Sequence, residues 1–66
     1  MKTIIVLAGG QTVQTRDNTP SDIAGLVNAG TPKIYACTDA LDSTKTHNVV
    51  ASFIMDVYAE AERTDV

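Results

Sequence analysis

The sequence has few of the residues that usually hold a small protein together. Cys37 is its single cysteine, His47 is its single histidine, and it contains no tryptophan. One cysteine cannot form a disulfide within the chain, and one cysteine with one histidine cannot complete a structural zinc cluster. A domain this small buries only about 60% of the surface that its unfolded chain exposes. We therefore expect the fold to depend on association with a second copy or with another protein.

Basic residues are also scarce. Five lysines and arginines stand against eight aspartates and glutamates, giving a net charge of −3. The basic residues are scattered, so no nucleic-acid groove is expected. No apolar run approaches the roughly 20 residues of a membrane span, so no membrane partner is expected, and the run Ile4 to Ala8 is too short for a secretory leader. With a single thiol, the composition favours a cytoplasmic protein, or one within a particle assembled in the cytoplasm.

The densest apolar stretch runs from Thr3 to Ala8 and ends at Gly9-Gly10. Its apolar side chains occupy both faces of a strand, which predicts a strand buried on both sides. If Gly9-Gly10 is a two-residue type I′ turn, Gln11 to Thr15 returns as the second arm of a hairpin. If the glycines open a loop, the chain runs directly to the next helix. The hairpin is favoured because the threonines of the returning arm suit an edge strand.

Local signals predict a helix from Pro20 to Ala29. Thr19 is a suitable N-cap, proline is favoured at the first helical position, and Gly30 is a typical residue after a helix end. Beyond it, Lys33 to Thr38 predicts a second buried strand and Asp39 to Thr46 a loop.

The segment from His47 to Arg63 fits two structures. Its apolar residues recur at helical spacing, yet alternate residues from Val49 to Val57 are also apolar, as in a strand. The length of the segment and its end rich in alanine and glutamate favour a helix. A strand over residues 48–54 is the alternative, and residues 64–66 are expected to fray.

The predicted fold is thus a small single α+β domain covering residues 1–66. Its order is a β-hairpin or single strand, a short helix, a strand and a long C-terminal helix. The alternative is a βαβα unit, with strands 3–8 and 33–38 parallel and joined by a right-handed crossover. Two parallel strands make too small a sheet, so that unit would be completed by oligomerisation.

The residues Leu7-Ala8-Gly9-Gly10, followed by Thr15-Arg16, resemble the N-terminal signature of nucleoside-diphosphate-sugar pyrophosphorylases. In that family the loop after Leu-Ala-Gly-Gly runs to a Thr-Arg pair and cradles nucleotide phosphates, so the resemblance implies phosphate binding through Gly9-Gly10. Here the Thr-Arg pair is displaced, Gln14 replaces the glycine before it, and the family's domain is several times longer. These departures favour a buried strand that ends in a glycine turn, with phosphate binding as a remote alternative.

No catalytic, cofactor or metal site is predicted. Cys37 in an apolar run is typical of an inert buried thiol, and His47 is typical of a cap or a surface residue, so they are not predicted to be a nucleophile and its base. Asp39, Asp42 and Asp56 lack the alternating ligands of a calcium loop. Turn formation explains the first two.

The sequence therefore predicts a non-enzymatic structural, assembly or protein-interaction subunit. It would work within a homo-oligomer or a larger particle, such as a virus particle, and bind itself or another protein. The alternative is a small acidic inhibitor or regulator that binds a host protein. The candidate interface consists of apolar residues from the first strand and the last segment: Ile5, Leu7, Phe53, Ile54, Val57 and Tyr58.

Overall fold

The computed structural model describes residues 1–30 and 33–61. These residues form five strands, one α-helix and one 3-10 turn. In chain order they are β1 (Lys2–Leu7), β2 (Thr12–Thr15), α1 (Pro20–Ala29), β3 (Ile34–Thr38), β4 (Thr46–Val50), the 3-10 turn (Ala51–Phe53) and β5 (Ile54–Glu60). The strands make two antiparallel sheets, one in the order β2-β1-β5 and the other formed by β3 and β4. The fold is mostly β.

The predicted long C-terminal helix is wrong, and the predicted fold class is wrong with it. In place of a helix from His47 to Arg63, the chain forms β4, the 3-10 turn and β5. β5 pairs with β1 from Lys2↔Glu60 to Leu7↔Ile54, so the segment gains a full ladder of backbone hydrogen bonds. The predicted fraying at 64–66 lies outside the described residues.

The alternative βαβα arrangement is also wrong. β1 is antiparallel to both of its neighbours, β2 and β5, and β3 lies in the other sheet. Because β2 follows β1 through a tight turn, the first sheet needs no parallel crossover.

The hairpin of β1 and β2 forms with a longer turn than the type I′ turn that was expected. The Leu7 N–H donates to the Gln11 carbonyl at 2.8 Å and the Gly10 N–H donates to the Leu7 carbonyl at 2.9 Å. Ala8, Gly9 and Gly10 therefore make a three-residue loop. Only Gly10 has a positive φ, 85°, whereas a type I′ turn requires a positive φ at both central residues.

Helix α1 has the bounds that its local signals predict. The Asp22 N–H donates to the Thr19 hydroxyl at 3.2 Å, and the Thr19 N–H donates to the Asp22 carboxylate at 3.3 Å. This reciprocal pair is a capping box. At the other end Gly30 adopts a left-handed conformation with φ 72°, which glycine tolerates without a steric penalty.

The core lies between the inner faces of the two sheets and one face of α1. Ile5 on β1 and Ile23 on α1 have no exposed surface. The other members come from β2, β3 and β4, and the full cluster is Ile5, Val13, Ile23, Tyr35, Cys37 and Val49. These few side chains make a small core, as the length of the chain requires.

Strand β1 is buried on both faces because it is the central strand of its sheet. Ile4 points away from the core, yet it is only 3% exposed. Gln14 on β2 and Tyr58 on β5 lie directly beside it across the sheet.

Within residues 1–30 and 33–61, no helix has the length and hydrophobicity that crossing a membrane requires.

Candidate interaction surface

The hydrogen bonds of β1 alternate between its two neighbours. The Leu7 N–H donates to Gln11, on the β2 side, and the Ala8 N–H donates to the Phe53 carbonyl, on the β5 side, at 2.8 Å each. In an antiparallel ladder this alternation continues along the strand. Odd-numbered residues of β1 therefore bond to β2 and even-numbered residues bond to β5.

The register then fixes which backbone groups of β5 face outward. Asp56, Tyr58 and Glu60 lie opposite even-numbered residues of β1, so their N–H and C=O groups point into the sheet. The backbone groups of Val57 and Ala59 point the other way, to the outer edge. Among the described residues β5 has a strand neighbour on one side only. β5 is therefore an open edge strand.

The opposite edge of the same sheet is closed. The Ala40 N–H donates to the outward carbonyl of Gln14 at 2.8 Å. Thr15 forms a β-bridge with Asp39, and the Arg16 guanidinium donates to the Ala40 carbonyl. The loop after β3 thus covers β2, whereas β5 has no such cover from the described residues.

One outward group of β5 is bound by its neighbouring side chain. The Val57 N–H donates to Oδ1 of Asp56 at 2.9 Å. A charged residue at a strand edge is a common device for limiting uncontrolled strand pairing. The Asp56 carboxylate therefore occupies a position that an added strand would need.

A shallow groove of about 290 Å³ runs between α1 and this open edge. On the helix side it is lined by Ala24, Val27 and Asn28, and on the strand side by residues 54–57. The short side chain of Ala24 leaves room beside the strand. A groove that combines a free strand edge with an apolar wall is suited to an extended backbone.

Among the described residues, three of the seven large apolar side chains that are exposed lie on β5 or next to it. Phe53 is 57% exposed, Met55 is 72% exposed and Tyr58 is 43% exposed. Met55 projects from a register irregularity in the β1–β5 ladder, since Leu7 pairs with Ile54 and the preceding β1 residue pairs with Asp56. Aromatic residues and methionine are enriched at protein interfaces.

The structure separates the predicted interface residues into two groups. Ile5 is fully buried and Leu7 is partly buried against the core, so both belong mainly to the interior. Phe53, Ile54, Val57 and Tyr58 lie together at the 3-10 turn and along β5. Ile54 and Val57 pack on the core with one side and line the groove with the other.

Sequence reasoning missed three residues of this surface, which are Met55, Asp56 and Ala59. In a helix these three residues would lie on the side opposite the predicted apolar face, whereas in the structure they belong to the edge strand β5. Asp56 within an otherwise apolar run was the available signal, because a carboxylate there suits an edge strand better than a central one.

Cys37 and His47 lie directly opposite each other on β3 and β4. His47 Nε2 is 2.9 Å from Oδ1 of Asp39, whereas the Cys37 thiol forms its side-chain hydrogen bond with Thr15. Cys37 is only 3% exposed, and burial raises the pKa of its thiol above the ordinary 9.0. The thiol is therefore protonated at neutral pH, which is the opposite of an activated nucleophile.

The aspartates considered as metal ligands are engaged in local turns. Oδ2 of Asp39 accepts the N–H groups of Leu41 and Asp42 at 2.9 Å each, and Oδ1 of Asp42 accepts the Thr44 hydroxyl at 2.6 Å. Hydrogen bonds from His47 and Thr44 lower the pKa values of Asp39 and Asp42, respectively. No three histidine, cysteine or acidic residues of the described ranges are grouped so as to hold a metal ion.

The Gly9-Gly10 segment is the tip of a hairpin. The Gly10 amide is used within the turn, where it bonds to Leu7. The phosphate-binding loop implied by the resemblance would instead turn its amides toward an anion.

Comparisons with models of protein families, with curated proteins and with solved structures found no match to this chain.

Proposed function

We propose that this chain is a non-enzymatic protein-interaction subunit that docks by accepting a β-strand along the open edge of β5. The observation that carries the proposal is the outward orientation of the backbone groups of Val57 and Ala59 beside the α1 groove. Strand addition supplies affinity through main-chain hydrogen bonds and specificity through the side chains that flank them. The subunit would work as part of an oligomer or a larger assembly.

The chemistry of the surface supports association. β5 is the longest strand among the described residues, with seven residues, and it exposes Met55 and Tyr58 as well as Asp56 and Glu60. Lys2 lies 3.6 Å from Glu60, so the charge at the end of β5 is partly balanced within the subunit. An extended strand edge with unpaired backbone groups is a template for another strand. The single buried thiol of Cys37 suits the cytoplasm, where we place the protein.

Ala59→Pro tests the proposal. Proline lacks an N–H, but the Ala59 N–H points outward, so the ladder to β1 loses no hydrogen bond. The matched control is Ala61→Pro, which lies just after β5. Circular dichroism verifies that both variants are folded. If Ala59→Pro does not fold, Ala59→Lys blocks the edge while keeping every backbone group.

The measurement is co-purification of an affinity-tagged chain with an untagged copy and with host proteins. We expect the parent and Ala61→Pro to retain one stoichiometric partner and the blocked-edge variant to lose it. A partner that is a foreign protein would support the acidic-regulator alternative at the same edge. Equal retention by all variants, or no partner for the parent, would overturn the proposal.

A further inference from the structure

We infer that Asp39 determines which edge of the β2-β1-β5 sheet accepts a strand. Its carboxylate holds the loop of residues 40–44 against the outer edge of β2, so that β2 is closed and strand addition is confined to β5. Strand addition at β5 itself rests on the proposed function, whereas the closure of β2 can be tested on the chain alone.

The loop closes β2 at Gln14. In β2 the backbone groups of Thr12 and Gln14 point to the outer edge, because both residues lie opposite even-numbered residues of β1. The Ala40 N–H donates to the Gln14 carbonyl at 2.8 Å. β2 has four residues, so covering Gln14 removes half of the outward-facing residues with which an added strand would pair.

The backbone of Ala40 is held against β2 by both of its polar groups. Its N–H bonds to Gln14, and its carbonyl accepts the guanidinium of Arg16. The preceding residue, Asp39, forms a β-bridge with Thr15. The cover on β2 therefore depends on how the chain is directed at Asp39 and Ala40.

The side chain of Asp39 fixes that direction. Oδ2 accepts the N–H groups of Leu41 and Asp42 at 2.9 Å each, which turns the chain immediately after Ala40. Oδ1 lies 2.9 Å from Nε2 of His47 on β4. The side chains of Asp39 and His47 are 18% and 24% exposed, so this contact is partly shielded from water. One carboxylate thus joins the loop over β2 to a strand of the other sheet.

The edge of β5 has no comparable cover from the described residues. Its outward N–H at Val57 is bound by the side chain of the preceding residue, Asp56. An exposed side chain leaves by a change of rotamer, which is fast, whereas release of the loop over β2 requires several hydrogen bonds to break together. The sheet therefore has one edge that opens readily and one that opens only when the Asp39 anchor fails.

Hydrogen exchange of the Ala40 amide in the purified full chain tests the anchor, because this amide donates to Gln14. We expect Asp39→Ala to raise its exchange rate by about tenfold or more. Asp42→Ala is the matched control, since it removes a carboxylate of the same loop that accepts the Thr44 hydroxyl. The control should exchange at the parental rate. A parental Ala40 rate in Asp39→Ala overturns the inference.

His47→Ala provides a second test if Asp39→Ala does not fold. The Ile5 amide, within the β1–β2 ladder, reports global unfolding and must remain protected. His47→Ala removes only the contact with Oδ1 of Asp39, and His47→Gln places an amide N–H near the position of Nε2. We expect faster Ala40 exchange in His47→Ala and recovery in His47→Gln. Equal Ala40 rates in the parent and these two variants overturn the inference.

Sedimentation velocity tests the choice of edge. An uncovered strand edge pairs readily with other strands, so Asp39→Ala should form larger species than the parent at the same concentration. Adding Thr12→Pro should reverse this change, because it removes an outward N–H at the first residue of β2, where proline is tolerated.

Two results would overturn the assignment of edge choice to Asp39. One is larger species that persist after Thr12→Pro is added, and the other is a parental size in an Asp39→Ala variant whose Ala40 amide exchanges fast. If all of the expected results hold but Ala59→Pro still retains the partner of the parent chain, the closure of β2 stands and the proposed function at β5 fails.

Discussion

The Asp56 carboxylate and the Val57 backbone N–H form a 2.9 Å hydrogen bond at the outer edge of β5. An added strand must displace the carboxylate before it can use this donor. Asp56 therefore opposes the association that the rest of the edge favours, and it sets how tightly β5 accepts a strand.

Replacing Asp56 with alanine should tighten the binding of an added strand at the edge of β5. The variant frees one backbone donor and removes a charge that pairing would desolvate. An intramolecular hydrogen bond contributes about 1 kcal/mol, so we expect the dissociation constant to fall roughly fivefold. A binding titration with the partner that co-purifies with the parent chain measures this change. Glu60→Ala is the matched control, because it removes the same charge from β5 without touching an outward-facing donor.

Hydrogen exchange at Val57 gives a second readout of the same variant. In the protein without its partner, Asp56→Ala should speed exchange of the Val57 amide, because its acceptor is gone. With the partner bound, the same amide should become protected by the added strand. An Asp56→Ala variant with parental affinity and with parental exchange both with and without the partner would show that the carboxylate has no role at the edge.

Truncating the core residue Ile5 should severely destabilise the fold. Ile5 has no exposed surface, whereas Ile34, on the outer face of β3, is 56% exposed. Ile5→Ala leaves a cavity and should cost about 2–5 kcal/mol, comparable with the whole stability of a domain this small. Ile34→Ala should change stability by no more than about 0.5 kcal/mol. Urea unfolding followed by circular dichroism measures both, and similar losses in the two variants would contradict the assigned core.

Acid should weaken the fold through the β3–β4 loop. The pKa of Asp39 is lowered from its ordinary 3.8, mainly by the hydrogen bond with His47. A lowered folded-state pKa means that the carboxylate stabilises the fold above about pH 4, and that this contribution is lost as pH falls through the lowered value. Asp39→Asn should therefore flatten the loss of stability below pH 4.

The test is the urea midpoint measured between pH 7 and pH 2.5. Ser43→Ala, an exposed residue of the same loop, serves as the control and should follow the parent. An Asp39→Asn curve with the parental slope below pH 4 would show that the Asp39–His47 contact does not contribute to acid sensitivity.

Sequence reasoning was most accurate where the determining contacts are local. Helix α1 has its predicted bounds because the Thr19–Asp22 capping box and Gly30 lie within the helix or next to it. The turn at Gly9-Gly10 was also predicted, but its length was not. A Gly-Gly pair is compatible both with a turn that needs one positive φ and with a turn that needs two. β3 begins and ends within one residue of the predicted segment.

The candidate surface was only partly accessible to the same reasoning. The sequence predicted an interface at the last segment, because its apolar face is wider than a small core can bury. The residues named were Phe53, Ile54, Val57 and Tyr58. Which of them face outward depends on the β1–β5 register and on the irregularity at Met55, and neither leaves a sequence signal. Ile5 could not be separated from them, because burial follows from the position of β1 at the centre of its sheet.

The sequence by itself determined the elements whose stabilising contacts span a few residues: the first hairpin, α1 and β3. Tertiary structure decided the segment after His47, where the apolar residues satisfy both a helical and a strand period. A helix there would have satisfied its own backbone N–H and C=O groups, but it would have left β1 with only one neighbouring strand. Pairing β5 with β1 instead completes the central strand and places Val57 over the core beside Ile5, at the cost of an open edge. Long-range pairing of this kind outweighs local propensity, because strand formation depends on the neighbouring strands rather than on the residue alone.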